Sequence, residues 1–316
     1  MKKIFLLALA LLALPSVASN DAKTNSVKRV VYQGNKIDFS QNTLSCRFVA
    51  KLQGVEKEGY QGLEVYGNTL ISCQNSGWMS FYNYDGKKLT QLVKAFKMAC
   101  YDKNTHANVA SLSNEFFAPS DKFPIVYVSQ CAKQAYKGMK DVLFAERIAP
   151  DMKSTTTVQT IYYRDENHNF GYALQWVVDR DNNVLYGYGN TINNTDPNNK
   201  HRIVKFRLPS LKEGKDNLLV LTDKDLLENY LIEDSYGQAF NPIGQGLFVK
   251  NGLLFMPTGV GTPHDPSILY VWDLRTHQMH NVLDLTTATF SELEDCALWN
   301  NSLMIQAQGN LFRLDF

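Results

Sequence analysis

The stretch Gln61-Gly62-Leu63-Glu64-Val65-Tyr66-Gly67-Asn68-Thr69-Leu70-Ile71-Ser72 decides the fold, because the chain repeats it. A polar opening leads into an apolar strand, a tight turn reverses it, and a second apolar strand follows. Gln245 to Met256 matches this stretch almost position for position, and Glu294 to Ile305 is a third copy. Gln175 to Val178, the turn Asp179 to Asn183, and Val184 to Tyr186 form a fourth. His106 to Ser111, joined by a longer connection to Ile125–Val128, forms a fifth. Recurrence of one supersecondary unit is the signature of a repeat architecture. Gly67-Asn68, Asn251-Gly252 and Asn300-Asn301 sit where a hairpin needs positive φ, which Gly and Asn tolerate.

Each of these hairpins except the last is followed by a second whose strands alternate apolar and polar residues, as half-exposed strands should. These run from Trp78 to Tyr84 and Lys88 to Phe96, from Val142 to Ile148 and Thr157 to Tyr163, from Arg202 to Leu208 and Leu218 to Leu221, and from Ile268 to Leu274 and Met279 to Leu285. After Ile305 a single strand remains, Leu311 to Leu314, so the last unit lacks one strand. Ser45 to Leu52 is a strand without a partner of its own at the other end of the chain. Ring closure joins the two. Four antiparallel strands per unit, arranged radially, make an all-β, five-bladed β-propeller whose N-terminal strand completes the last blade.

Six blades is the rival count, with the extra one in the long second unit. The openings at 61 and 294 span four intervals of about 58 residues each. Compact blades need roughly 40–45, so the connections carry insertions: Gln130 to Lys140, Gly189 to His201 and Pro257 to Pro266. Thr222 to Ile232 has helical apolar spacing, with Asp225 placed to cap against Thr222, and is expected to be a short inter-blade helix.

Composition sets the class. The chain has 316 residues, 44% of them hydrophobic, which excludes disorder, and a net charge of +1, which excludes nucleic-acid binding by gross electrostatics. Lys2-Lys3, the apolar run Ile4 to Leu14 and the small residues after Pro15 read as a cleavable secretory signal over residues 1–19. The run is too short to span a bilayer, which takes roughly 20 residues. Residues 20–44 then form a leader and 45–316 the propeller, exported to the periplasm or beyond. Cys46, Cys73, Cys100, Cys131 and Cys296 are an odd set without metal-ligand spacing. Buried free thiols are the plain expectation, with Cys100 to Cys131 or Cys73 the pairing to test. Cys46 and Cys296 fall too far apart across one blade.

Propeller geometry selects one face for function, where the openings Gln61, His106, Gln175, Gln245 and Glu294 meet the channel mouth beside the longest insertions. Amides donate and accept without charge, which suits a neutral polar ligand: a glycan, a small molecule or a peptide backbone. Trp78, Trp176, Tyr101 and Tyr136 offer apolar platforms. Among Glu292, Glu294 and Asp295, strand alternation is expected to turn Asp295 away and leave Glu294 alone at the channel. Glu294 and His106 are the candidates for acid–base chemistry. No triad, zinc motif or dinucleotide fingerprint is present, so no metal or cofactor is expected. The partner is a polar small molecule or glycan, or a protein, met by a monomer.

Tyr60-Gln61-Gly62-Leu63-Glu64 resembles the Thr-Gln-Gly-Leu blade opening of plant-type glutaminyl cyclotransferases, and Ser291-Glu292-Leu293-Glu294 is similar to an acidic opening in that family. The resemblance implies a five-bladed propeller and, as one alternative, an enzyme of cyclotransferase or glycan-cleaving type. The three acidic channel residues of arabinanase-like propellers are missing, since Gln61, His106 and Gln175 stand at the corresponding openings. His106 to Val128 resembles exported propellers of the Bacteroidetes type, which implies a cell-envelope role. A protein-interaction scaffold is the remaining alternative.

Overall fold

A computed structural model describes residues 25–33, 36–38, 43–131, 136–233, 240 and 242–315. The signal segment 1–19 lies outside the described residues. The strands β1 (Asn25–Gln33), β2 (Lys36–Asp38) and β3 (Thr43–Lys51) precede the first blade. Blade 1 is β4 (Tyr60–Tyr66), β5 (Thr69–Gln74), β6 (Trp78–Tyr84) and β7 (Leu89–Lys97). Blade 2 is β8 (Ala110–Leu112), β9 (Val126–Ser129), β10 (Leu143–Ile148) and β11 (Thr155–Arg164). Blade 3 comprises β12 (Tyr172–Asp179), β13 (Val184–Asn190) and β14 (His201–Arg207), then, beyond β15 (Leu218–Thr222), its outer strand β16 (Glu228–Leu231). Blade 4 is β17 (Phe248–Lys250), β18 (Leu253–Thr258), β19 (Ile268–Asp273) and β20 (Gln278–Asp284). A short helix, α1 (Thr286–Thr289), leads to blade 5: β21 (Asp295–Trp299), β22 (Ser302–Ala307), β23 (Asn310–Asp315) and β3.

The ring closes as the sequence predicts. β3 pairs antiparallel with β23, setting Cys46 opposite Leu314 and Lys51 opposite Asn310. Gly67, Asn251, Gly252 and Asn300 all take positive φ in their hairpin turns. The leader contributes β1, which pairs with β3 at one end and β20 at the other, so it covers the outer edges of blades 5 and 4 together.

Five blades, not six, follow from the core as well as from the strand order. Each interface between neighbouring blades has its own apolar cluster. Blades 1 and 2 meet at Ile71, Phe81, Val126 and Phe144. Blades 2 and 3 meet at Tyr127, Ile161, Trp176 and Phe206, and blades 3 and 4 at Tyr186, Ile203, Leu254 and Trp272. Blades 4 and 5 meet at Leu269, Val271, Leu303 and Ile305, and blades 5 and 1 at Met304, Leu311, Leu63 and Leu70. The inner strands are buried on both faces, which is why they read as continuous apolar runs. In β5, Leu70 faces blade 5 while Ile71 faces blade 2.

One connection departs from expectation. Leu218–Thr222 does not complete blade 3; β15 crosses over and pairs in parallel with β11, adding a fifth strand to blade 2. The outer strand of blade 3 is β16, inside the segment predicted to be helical. The capping box between Thr222 and Asp225 forms, but it supports only the single 3-10 turn Asp223–Asp225 before Leu226 returns to extended backbone. The open edge of β14 wins over local helix preference. Lys205 faces Glu228 across the pair, with Nζ 2.6 Å from the carboxylate.

All five cysteines are buried and free, so the Cys100 pairing considered above is not made. Burial pushes every thiol above its usual range, Cys46 to about 12.

Candidate functional site

The repeated Gln-Gly-Leu opening holds the ring together at its axis. The amide of Leu63 donates to Asp295 Oδ2 at 2.8 Å, and that of Leu247 donates to Oδ1 at 3.1 Å. Ala110 and Cys296 add N–H donors at 3.4 and 2.9 Å. One carboxyl therefore ties the inner strands of blades 1, 2, 4 and 5. The glycines permit this approach, since a Cβ on Gly246 would lie 2.3 Å from Glu294 O and one on Gly62 would lie 2.8 Å from Ala110 N. Asp295 is fully buried, and burial raises its pKa well above the carboxylate range while its amide donors pull the other way. The expectation that alternation turns Asp295 away from the channel is thus corrected. β21 begins at Asp295, so alternation does not extend back to Glu294, which sits above it at the mouth.

Because the axis is filled at this level, the mouth divides into two cavities. The larger, of about 760 Å³, lies over blades 1 and 5 and is lined by Gln61, Glu292 and Glu294 with Glu56, Glu58 and Gln308. Gln61 Nε2 donates to Glu294 Oε2 at 3.3 Å. Gln245 Nε2 and Gln308 Nε2 donate to the two oxygens of Glu292, at 2.6 and 3.2 Å. Below them Gln306 donates to Gln61 O and accepts from Ser72 Oγ at 2.8 Å, which locks the backbone of the Gln61 opening. Burial, reinforced by the neighbouring Glu292, pushes Glu294 up to about 9. A carboxyl in that range is neutral at pH 7 and is able to donate as well as accept.

The smaller cavity, of about 140 Å³, lies over blades 2, 3 and 4 and takes in His106, Gln175 and Gln245 with Asn108, Tyr172 and Asn190. His106 Nδ1 lies 3.1 Å from Cys131 O, so this nitrogen carries the proton that it shares with the carbonyl. Gln245 links the two cavities, because its backbone oxygen accepts from Asn108 Nδ2 at 2.8 Å while its side chain reaches Glu292.

The five openings thus share one face, but the structure brings them together in two groups, with Glu294 in one cavity and His106 in the other. Trp176 is not a platform. It is 0% exposed, between blades 2 and 3, with Nε1 donating to Asp141 O at 2.7 Å. An apolar residue on a strand buried on both faces goes to an interface whichever way it points. Trp78 packs edge-on against Tyr101 at 5.7 Å, under the Lys97 ammonium, and lines neither mouth cavity. Tyr136 packs against Phe144 on blade 2. Glu56, Glu58 and Gln308 were missed from sequence because they lie on connections outside the repeated pattern; the Glu/Lys-rich run from Lys51 to Glu58 is a signal for the two glutamates, and nothing marks Gln308.

A third depression, of about 700 Å³, opens on the opposite face between blades 3 and 4. Most of its charged residues are held in ion pairs, Asp181 with Lys250 at 2.8 Å, Lys205 with Glu228 at 2.6 Å and Arg275 with Asp273 at 3.0 Å. Such pairing describes a solvated surface between blades rather than a prepared site. Among the described residues no group of three or more His, Cys, Asp or Glu side chains is gathered to hold a metal ion.

No family model matches the chain, and no curated protein matches it. Among solved structures it is similar to the tail fiber of Staphylococcus aureus phage P68, at 12% identity and a TM-score of 0.45. That match covers 86% of this chain and 52% of the phage protein, so the chain spans about half of that protein's length.

Proposed function

We propose that the protein is an exported β-propeller that binds a polar ligand at the channel mouth, with Gln61 and Glu294 as its principal contacts. The carrying observation is Glu294 itself: a carboxyl only 6% exposed, at the wall of an open cleft, held by one long hydrogen bond from Gln61. A buried polar group normally collects partners, and here the cleft leaves room for a ligand hydroxyl or amide to supply them. Export rests on the signal-like segment, and the resemblance to exported Bacteroidetes propellers agrees with a cell-envelope location.

A second reading is favoured by the raised pKa of Glu294. A carboxyl protonated near neutrality is equipped to act as a general acid, as an enzyme of cyclotransferase or glycan-cleaving type requires. His106 opens into the other cavity, so this reading rests on Glu294 with Glu292 rather than on the Glu294–His106 pair.

The test is a thermal-shift screen of the mature protein against glycans, amino acids and short peptides, repeated with Gln61→Ala/Glu294→Gln. A ligand that binds the native state raises the midpoint by mass action. The reading requires a rise in the wild type that the double variant loses while staying folded. A rise of equal size in both proteins contradicts it. Turnover of the same ligand, abolished by Glu294→Gln alone, selects the enzymatic reading.

A further inference from the structure

The larger mouth cavity carries a more specific assignment. Four glutamates line it, Glu56, Glu58, Glu292 and Glu294, against two lysines, Lys51 and Lys57. Among the described residues none of these six enters an ion pair. Both lysines are exposed at the rim, whereas Glu58 and Glu292 are half-buried and Glu294 is buried. Neutral donors hold the carboxylates instead: Ser76 on Glu58 at 3.2 Å, Gln245 and Gln308 on Glu292, and Gln61 on Glu294. The Gln61 bond engages Glu294 Oε2 alone. Oε1 has no hydrogen-bond partner, yet it is not sealed off from solvent, and the residue that carries it is more than nine-tenths buried in the cavity wall.

Like charges gathered without counter-ions oppose one another's ionisation. Glu292 acts in this way on Glu294, in addition to burial. What the cleft lacks is positive charge. A metal ion does not fit, since among the described residues no group of three or more His, Cys, Asp or Glu side chains is gathered to hold one. A quaternary ammonium calls for a cage of aromatic faces, and Tyr60 is the one aromatic residue in this wall. A cation that carries N–H groups brings both the charge and the donor that Glu294 Oε1 lacks.

We propose that the cleft over blades 1 and 5 takes a protonated nitrogen, the ammonium or guanidinium of an organic cation, with Glu294 and Glu292 as its counter-charges. The proposal rests on the reading of this cleft as a polar-ligand site and names the charge of that ligand. Glu294, neutral at pH 7, ionises when the cation arrives, so binding passes a proton from its carboxyl to the buffer. The other titratable groups around the cleft are Lys51 from β3, Glu56, Lys57 and Glu58 from the connection to β4, Tyr60 from β4, and Glu292 from the connection into β21. Burial pushes the Tyr60 hydroxyl up to about 12, which leaves it protonated throughout.

The experiment is a calorimetric titration of the mature protein with Nα-acetyl-arginine amide and Nα-acetyl-lysine amide, which separate guanidinium from ammonium. Nα-acetyl-citrulline amide is the neutral counterpart of the arginine compound. At least one cation is expected to bind about tenfold or more tightly than the citrulline compound. Its binding heat at pH 7 is expected to differ between phosphate and Tris, as release of a proton requires. If the arginine compound is the ligand, its own charge does not titrate, and its affinity is expected to rise from pH 6 to pH 8. Glu294→Gln is expected to remove the buffer dependence, and Glu292→Gln to weaken binding by about tenfold. Should either variant fail to fold, the citrulline comparison and the buffer dependence remain readouts of the wild type.

Failure of both cations to bind more tightly than the citrulline compound overturns the proposal. Binding that survives unchanged in a folded Glu292→Gln/Glu294→Gln protein also overturns it, as does cation binding whose heat is the same in both buffers. A neutral ligand lost in Gln61→Ala/Glu294→Gln, with both cations inert, overturns the cation assignment alone and leaves the cleft as a polar-ligand site.

Discussion

Glu294 and Asp295 are neighbours in the chain, carry the same chemical group and have opposite surroundings. Asp295 collects four backbone N–H donors from four blades. Glu294 has one side-chain donor at 3.3 Å and an open cleft beside it. Burial raises the pKa of both. What separates a structural carboxyl from a candidate functional one here is therefore how completely the protein itself satisfies it. The axis is finished by the fold, whereas Glu294 at the mouth is not.

The comparison is broken most severely by Asp295→Ala. It orphans buried amides on blades 1, 2, 4 and 5 at once, and loss of one partner from such a network costs about 4 kcal/mol. Urea unfolding monitored by tryptophan fluorescence should show that loss or an unfolded chain; a variant as stable as wild type removes Asp295 from its role as hub. Gly246→Ala tests the same point from the opposite side. Its new Cβ would meet Glu294 O at 2.3 Å and Asp295 Oδ1 at 2.5 Å, and overpacking of this kind costs about 2–3 kcal/mol. Gly67→Ala has nothing within 4 Å of its Cβ and a φ of +60°, so only backbone strain of about 1 kcal/mol is expected there. If the two alanines cost the same, the close approach at the axis is not what the Gln-Gly-Leu glycine supplies.

His201 sharpens the comparison through pH. It is buried in blade 3, stacked on Tyr188 at 4.8 Å, with Nε2 2.8 Å from Pro242 O. Burial lowers its pKa to about 4. The unfolded value is near 6.5, so the unfolded chain binds the proton more readily. Stability is complete above about pH 6.5 and declines as pH falls toward 4, by about 2 kcal/mol at pH 5. Unfolding free energies of wild type and His201→Gln across this window should converge as pH falls. Parallel curves exclude His201 as the source of the acid sensitivity.

The propeller was legible because its signal is repeated: Gln61, Gln175, Gln245 and Glu294 each announce an inner strand. Ring closure followed from one unpaired strand at each end. The helix expected over Thr222–Ile232 failed for a tertiary reason, since its cap was read correctly but the unpaired edge of β14 was invisible to local spacing. The site was legible only in outline. Gln61 and Glu294 were both marked, yet their contact joins positions 233 residues apart. The partners of Asp295 likewise come from blades whose convergence is set by closure, not by any motif. Trp176 was misplaced because a large aromatic at an opening looks the same whether it faces a channel or a neighbouring blade. Glu56, Glu58 and Gln308 reach the cleft from connections that carry no periodicity.

The central claim is that Glu294 is kept at the mouth for a ligand and not for the fold. Its folded pKa of about 9 lies above the unfolded value, so the folded state holds the proton more tightly. The native carboxyl thus costs stability increasingly as pH rises from about 4.5 toward 9. The direct measurement is the unfolding free energy of Glu294→Gln against wild type from pH 4 to 9. Water entering through the cleft moderates the effect, and the account predicts a variant equal to wild type at pH 4 and more stable by about 1–2 kcal/mol at pH 8. A variant that is less stable than wild type across the whole range would show that Glu294 serves the fold and would contradict the account.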